Sequence, residues 1–287
     1  MEKAIVTCAV TGVLTNPMQH PVPVTPEEMA ASAKEAFEAG ASVMHLHFRD
    51  QREGMGFMPT WDPQIAQEIA EAIRQACPGV LLNFSTGVFG EDISGPVACL
   101  KRCKPEVAAM NAGSLNYLKT RRNGTWAWPP MLFDNSVDKI EKFLKVMYDE
   151  GIAPECECFD TGIVRSISML DQVGLLRDPI HVSLVMGVAS GMAANPSWLP
   201  LLIDELPDKA HWQAIAIGRT EVWDLHRRTA ELGGHLRTGV EDTFYLPNGD
   251  KTSGNGQLIE TLVNIARECG REIATPDEAR AAFATQI

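Results

Sequence analysis

Residues 25–49 read TPEEMAASAKEAFEAGASVMHLHFR, and this stretch joins one helix signal to one strand signal. Thr25-Pro26-Glu27-Glu28 combines a helix N-cap, a proline at the first helical position and an acid at the capping-box position. An amphipathic segment over 26–39 follows, and an apolar run over 42–48 comes next. The stretch therefore predicts a helix that leads directly into a buried strand.

The same alternation extends along the whole chain. Apolar runs occupy Ala4–Val10, Ser42–Phe48, Val80–Phe84, Glu106–Met110, Ala153–Phe159, Ile180–Met186, Trp212–Ile217 and Gly234–Thr238. Amphipathic segments between them include Pro26–Ala39, Pro63–Ala76, Val137–Glu150, Glu221–Leu232 and Gln257–Cys269. Alternation of this kind indicates parallel strands joined by helical crossovers. Eight strand candidates without a linker predict an α/β fold, a (β/α)8 TIM barrel that forms a single domain over 1–287. An open doubly wound sheet is the alternative, but no GxGxxG follows the first strand.

Composition narrows the classes of partner. The 287 residues include 37 acidic and 25 basic side chains, for a net charge of −12, which argues against nucleic-acid binding. The chain has seven cysteines and no CxxC pair, which favours a reducing compartment. No apolar run approaches the ~20 residues that span a membrane, and Ala4–Leu14 lacks the flanking features of a signal peptide. We expect a cytoplasmic protein.

One loop is unusually long. Residues 115–135 read LNYLKTRRNGTWAWPPMLFDN and follow the fourth strand candidate. Loops of this length in compact domains are usually functional or disordered. In a barrel this one would lie on the C-terminal face, where active sites occur, so it is predicted to be lid-like.

The sharpest chemical signal is His45-Leu46-His47 at the end of the second strand candidate. Side chains alternate along a strand, so His45 and His47 share one face, which in a barrel is the interior. Two imidazoles in one cavity form a natural divalent-metal site, although two hydrogen-bonded core histidines are the alternative. Glu241 is the best third ligand, because strands eight and two both lie beside the first strand in a closed barrel. Arg237 and Asp242 would flank it, unless this segment is only a solvated strand-end cluster.

Other strand ends carry weaker signals. Ser85 and Gly87 lie in NFSTG (83–87) after the third strand, and Ser114 lies in the segment after the fourth. Small hydroxyl residues beside glycine bind carboxylate or phosphate groups, but more often they only form turns. Glu155 and Glu157 share a face of the fifth strand, where buried carboxylates need a cation such as Arg237.

The motifs together resemble one family. TPEEMAASAKEAFEAGASVMHLHFRD, NFSTG, MNAGSLNY, PECECFD, VMGVASGM, AIGR, GGHLRTGVED and GREIATPDEA occur in this order over nearly the whole chain. This combination resembles the β-keto acid cleavage enzymes. The resemblance implies a zinc-dependent (β/α)8 barrel, usually homotetrameric, that converts a β-keto acid and acetyl-CoA into acetoacetate and a new CoA thioester.

The resemblance also implies residue roles. His45, His47 and Glu241 match the family's zinc ligands, Asp242 matches the base that takes a proton from the substrate, and Arg237 matches the arginine that supports this base. The family's substrate-binding residues match Ser85, Gly87 and Ser114. Its inward-facing acid on the fifth strand matches Glu157.

Two positions depart from the family pattern. Leu14 stands where a glutamate binds the amino group of 3-keto-5-aminohexanoate, and Val88 replaces a glycine after the STG loop. A β-keto acid with an uncharged tail is therefore the expected substrate. A quaternary ammonium substrate such as 3-dehydrocarnitine is the alternative if Trp126 or Trp128 offers a cation–π face.

Two other functions compete with this interpretation. A CoA-independent zinc hydrolase or metal-dependent aldolase would use the same three ligands, but such barrels usually carry HxH on the first strand. A non-catalytic barrel with a vestigial site is the third hypothesis, and retention of the metal trio with Asp242 argues against it.

Overall fold

The computed structural model describes residues 2–13, 15–208 and 210–284. Its strands, in chain order, are β1 (Val6–Ala9), β2 (Val43–Leu46), β3 (Leu81–Phe84), β4 (Val107–Asn111), β5 (Leu115–Tyr117), β6 (Met131–Phe133), β7 (Ala153–Cys158), β8 (His181–Met186), β9 (His211–Ala216) and β10 (His235–Thr238). Eight of these pair in parallel and close a barrel in the order β1-β10-β9-β8-β7-β4-β3-β2. The predicted (β/α)8 barrel is confirmed, and each barrel strand overlaps one of the eight predicted runs.

Helices cover the outside of the barrel. They are α1 (Pro26–Glu38), α2 (Pro63–Ala76), α3 (Ser94–Cys103), α4 (Val137–Asp149), α5 (Thr161–Gln172), α6 (Leu199–Ile203), α7 (Val222–Glu231), α8 (Asn255–Glu268) and α9 (Pro276–Phe283). Both Thr-Pro-x-Glu sequences form complete capping boxes, at Thr25 and at Thr275. These reciprocal hydrogen bonds satisfy backbone donors that a helix start leaves free. None of the helices in the described ranges is long and apolar enough to cross a membrane.

The two ends of the barrel differ in polarity. At the N-terminal end, Ile5, Val43, Leu81 and Val107 pack with Phe283 of α9, which closes the barrel floor. Higher in the interior the side chains become polar, and the buried set there includes Asn83, Glu155, Ser183, Gln213 and Arg237. A polar interior that opens upward places the chemistry at the C-terminal face, as in other barrels of this type.

The long loop is partly ordered as a hairpin. Strands β5 and β6 pair antiparallel, with Leu115 opposite Phe133 and Tyr117 opposite Met131. The ring of Trp128 stacks on Tyr117 with centroids 5.7 Å apart, and the ammonium group of Lys119 lies 5.3 Å from the Trp128 centroid. The cation that lies over the Trp128 indole is therefore Lys119, a residue of the same loop.

Helix α7 carries a buried histidine, His226, that lowers the free energy of unfolding in acid. Neither ring nitrogen of His226 has a hydrogen-bond partner among the described residues, and burial lowers its pKa to about 3. The unfolded chain protonates this side chain below its ordinary pKa of about 6.5, whereas the folded chain does not. With respect to this ring, the free energy of unfolding is therefore highest above pH ~6.5. It falls by about 1.4 kcal/mol per pH unit as the pH drops from ~6.5 toward 3.

We expect His226→Leu to unfold at a higher urea concentration than the wild type, with a gap that widens in acid. Leucine keeps the apolar contacts and removes the buried ring nitrogens. The measurement is the unfolding free energy of both proteins at about pH 8 and about pH 5. An equal difference at both pH values would show that this ring does not titrate on unfolding.

Candidate active site

The site begins with the two histidines at the end of β2. His45 pairs with Ala9 of β1 on one side and with Asn83 of β3 on the other. His47 follows two residues later, so the strand pleat directs both rings to the same side. Their centroids lie 5.2 Å apart, with the ring planes inclined by 74°. His45 is 1% exposed and the His47 side chain is 15% exposed, so His47 is the member of the pair that solvent reaches.

Glu241 reaches this pair from the segment after β10. Its Oε1 lies 3.2 Å from Nε2 of His47 and 3.7 Å from Nε2 of His45. Two glycines allow the approach. A Cβ at Gly239 would lie 2.1 Å from the carbonyl oxygen of Ala9, and a Cβ at Gly12 would lie 2.7 Å from Cγ of Glu241. Larger residues at these positions would push the glutamate away from the histidines.

The three side chains fit a divalent metal ion. One ligand atom from each of His45, His47 and Glu241 lies within 4.8 Å of the others. Oε2 of Glu241 is buried and finds no hydrogen-bond partner in the described part of the chain. Burial lowers the pKa of His45 well below its ordinary value, which maintains the neutral imidazole that binds metals. Two histidines and one carboxylate match a donor set of catalytic zinc sites.

Arg237 connects the carboxylates around the site. From the middle of the barrel it donates to Oε1 of Glu241 at 2.9 Å and to Oδ1 of Asp242 at 3.2 Å. A weaker contact of 3.4 Å reaches Oε1 of Glu157 on β7. Burial alone would lower the pKa of Arg237, but Asp242, Glu241 and Glu157 outweigh it and raise that pKa. The guanidinium is therefore a permanent charge that orients all three acids.

Two of these acids hold a proton more readily than usual. Burial raises the pKa of Asp242 to about 7, and Arg237 opposes this effect. Burial likewise raises the pKa of Glu157 to about 8, against the same guanidinium. The Asp242 side chain is fully buried behind Arg237, whereas Glu157 is 13% exposed. The two carboxylates thus differ in access to a molecule in the cavity.

A sequence model described as beta-keto acid cleavage enzyme matches residues 3–284. This chain belongs to that family. The resemblance seen in the sequence motifs is confirmed over nearly the whole chain.

Curated relatives carry several substrate names. The chain is 35% identical, over 98% of its length and 97% of the relative, to a 3-keto-5-aminohexanoate cleavage enzyme of Acetoanaerobium sticklandii. It is 31% identical, over 98% of its length and 94% of the relative, to a 3-oxoadipate:acetyl-CoA acetyltransferase of Cupriavidus necator. Among solved structures, the apo structure of ObcA superposes with a TM-score of 0.75 at 20% identity, covering 93% of this chain and 66% of that chain. That likeness shows the barrel fold.

The other predicted site positions lie after β3 and after β4. Ser85 follows β3, and its amide donates to the carbonyl of Leu46, between the two histidines, at 3.0 Å. A Cβ at Gly87 would lie 3.5 Å from both Asn111 Nδ2 and Phe133 Cζ, so the STG loop contacts the hairpin. Ser114 is exposed, and its hydroxyl accepts from the amide of Asn135 at 2.7 Å. The Ser114 hydroxyl therefore joins the two ends of the β5–β6 hairpin.

Successive side chains of β7 alternate between the barrel interior and the surrounding helices. Glu155 is buried in the barrel and accepts from Asn83 at 3.0 Å. Cys156 and Cys158 belong to the apolar cluster between the barrel and its helices. His235 of β10 accepts a hydrogen bond from the amide of Ile5 at the barrel floor, so its role is structural.

Two buried cations near the mouth were not found from the sequence. Lys139 donates to the carbonyls of Val88, Gly90 and Asp134 at 2.8–3.0 Å and joins the STG loop to the hairpin. Arg49 donates to three backbone carbonyls of two loops beside Glu241. The position of Arg49 directly after His45-Leu46-His47-Phe48 was the one available signal for it.

Proposed function

We propose that this chain is a zinc-dependent acyltransferase that converts a β-keto acid and acetyl-CoA into acetoacetate and a new acyl-CoA. The observation that carries the proposal is the contact between the metal trio and the acids held by Arg237. His45, His47 and Glu241 would hold the ion, and Asp242 is the base. The names of relatives that act with acetyl-CoA support the choice of co-substrate.

Charge balance supports a cation in this site. Glu157, Glu241 and Asp242 surround a single guanidinium, so the ionised cluster is negative without a metal. A keto acid carries a further carboxylate, and like charges in a buried site repel strongly. A zinc ion held by His45, His47 and Glu241 would supply a Lewis acid that polarises the keto oxygen and so makes the adjacent C–H more acidic.

Proton removal is assigned to Asp242. The bidentate contact with Arg237 fixes the carboxylate plane and favours its ionised form. Its raised pKa of about 7 makes it a stronger base than an ordinary aspartate. Arg237 positions this base, and Glu157 balances the guanidinium from β7 at the exposed side of the cavity.

The remaining assignments concern binding and assembly. Ser85, Gly87 and Ser114 are proposed to contact the substrate carboxylate from the β3 loop and the hairpin base. The single domain with a lid-like loop at 115–135, the cytoplasmic location and the homotetramer remain proposals, the last supported by the family resemblance. Light scattering of the purified protein tests the oligomeric state.

A panel of β-keto acids tests the function. Each acid is incubated with zinc-loaded protein and acetyl-CoA, and acetoacetate and new thioesters are measured by mass. We expect both products in equal amounts from at least one acid. Product formation without acetyl-CoA would favour the CoA-independent hydrolase or aldolase, and no turnover of any acid by zinc-loaded protein would favour a vestigial site.

We expect 3-keto-5-aminohexanoate to be a poor substrate compared with a β-keto acid that has an uncharged tail. Leu14 lies outside the residues that the structure describes, so this prediction rests on the sequence alone. A desolvated ammonium group without a carboxylate partner costs several kcal/mol. Leu14→Glu should therefore raise kcat/KM for the amino substrate by on the order of tenfold or more.

The measurement is kcat/KM for both substrates with both proteins at one acetyl-CoA concentration. Leu14→Gln is the matched control, because it adds polarity and length without charge. A wild-type preference for 3-keto-5-aminohexanoate would contradict the prediction. It would show that another residue of the chain pairs with the ammonium group of this substrate.

A further inference from the structure

Arg49 is a buried cation that serves two loops at once. The first loop (residues 10–25) joins β1 to α1, and the second loop (residues 47–62) joins β2 to α2. Arg49 is 1% exposed. Within the described ranges no carboxylate lies within 4.0 Å of its guanidinium, so its partners are neutral groups. A buried charge is stabilised only if such partners satisfy its donors.

The hydrogen bonds show which groups Arg49 holds. Its Nε donates to Oγ1 of Thr11 at 2.9 Å, and its Nη2 donates to the carbonyl of Thr11 at 3.1 Å. Its Nη1 donates to the carbonyls of Thr15 and Gly56, each at 2.9 Å. Four hydrogen bonds from one planar guanidinium therefore hold Thr11 and Thr15 of the first loop and join them to Gly56 of the second loop. A lysine, with a single nitrogen, cannot span these acceptors.

Gly12, which follows Thr11, packs directly on Glu241, one of the proposed metal ligands. Gly12 has φ +59°, and a Cβ there would approach Cγ of Glu241 to 2.7 Å. Oγ1 of Thr11 also donates to the carbonyl of Pro23, which ties the far part of the first loop to the same point. Movement of Thr11 and Gly12 would release the packing against Glu241, which lies beside the two histidines.

We propose that Arg49 is a positioning residue that holds Thr11 and Gly12 against Glu241 and so fixes the side of the site on which the keto acid binds. The inference rests on the proposed function for its kinetic part. Small misplacements of a binding wall cost on the order of 100-fold in rate. Arg49→Lys should therefore lower kcat/KM for the keto acid by about that factor, mainly through a higher KM.

A second buried arginine provides the matched control. Arg271 is 2% exposed and also donates to three backbone carbonyls, those of Glu2, Ala230 and Gly234. It lies at the barrel floor, at the end opposite the metal trio. Arg271→Lys removes the same kind of contacts, so it should lower stability while kcat and KM per bound zinc stay within about twofold of the wild type.

Two further variants guard against a folding defect. Thr11→Val removes the hydroxyl that accepts from Arg49 and keeps the side-chain volume, whereas Thr11→Ser keeps that hydroxyl. Thr11→Val should raise KM in the same direction by about three- to tenfold, and Thr11→Ser should restore most of the wild-type value.

Hydrogen exchange of the zinc-loaded protein without substrate separates this inference from the proposed function. Amides of the first loop should exchange about tenfold faster or more in Arg49→Lys, and those of the barrel floor should not. Arg271→Lys should show the reverse. Unchanged exchange in the first loop, or kinetic constants for Arg49→Lys equal to those of Arg271→Lys, would overturn the inference. If no keto acid is turned over by the wild type, the exchange result still decides the role of Arg49.

Discussion

His45→Ala is expected to lose the bound metal and to lower turnover to the level of a reaction without enzyme. The side chain supplies one of three ligand atoms that lie within 4.8 Å of one another. A site left with one histidine and one carboxylate holds zinc poorly, because structural and catalytic sites use three or four protein ligands. Metal content per chain, measured by elemental analysis after dialysis, and initial rate are the two readouts.

The control for this change is His211→Ala. His211 begins β9 at the barrel floor, where its ring stacks on His235 with centroids 5.9 Å apart. We expect this variant to retain one metal ion per chain and near-normal turnover. Circular dichroism should show the same helix content in both variants, because neither side chain belongs to the apolar core. Full metal occupancy in the His45→Ala, His47→Ala double variant would rule out the assigned site.

Asp242→Asn is expected to retain the metal and to lose about 10²- to 10⁴-fold in kcat, the usual contribution of a general base. Asparagine preserves the shape of the side chain and still occupies the space beside Arg237, but it cannot take a proton. The measurement is kcat at saturating keto acid and acetyl-CoA, with zinc content determined on the same sample.

Glu157→Gln provides the comparison, because Glu157 is the other carboxylate of raised pKa on the same guanidinium. It contacts Arg237 at 3.4 Å and is more accessible than Asp242. A loss for Glu157→Gln that is small beside that of Asp242→Asn supports Asp242 as the base. The reverse order, with zinc intact in both variants, would transfer that role to Glu157.

The metal trio was predictable from the sequence because two simple rules determine it. The alternation of a strand places His45 and His47 on one side, and closure of a barrel brings the segment after the last strand next to the first. These rules bring Glu241 within reach of the histidines, and the turn at Gly239 completes the approach. Strand alternation also placed Glu155 and Glu157 on one face, with Arg237 as one possible cation partner. In the structure Glu157 contacts Arg237 at 3.4 Å, whereas Glu155 accepts from Asn83.

The positions that the sequence did not reveal depend on loops. Arg49 and Lys139 bind backbone carbonyls, which every residue carries, so no side-chain pattern marks their partners. Helix α3 begins at Ser94 without a side-chain cap, and the usual start signal is missing there. The hydrogen bond from the Asn135 amide to the Ser114 hydroxyl could not be foreseen from spacing, because it depends on where the chain returns after the hairpin.

The closure of the barrel has a consequence for synthesis of the protein on the ribosome. Strand β1 is made first, but its partner β10 emerges last, and Ile5 bonds to His235 across 230 residues. At about 5–20 residues per second, one edge of β1 is left without its partner for tens of seconds. Unpaired strand edges are templates for aggregation. The free edge of β1 is therefore open to pairing with other chains until β10 closes the barrel.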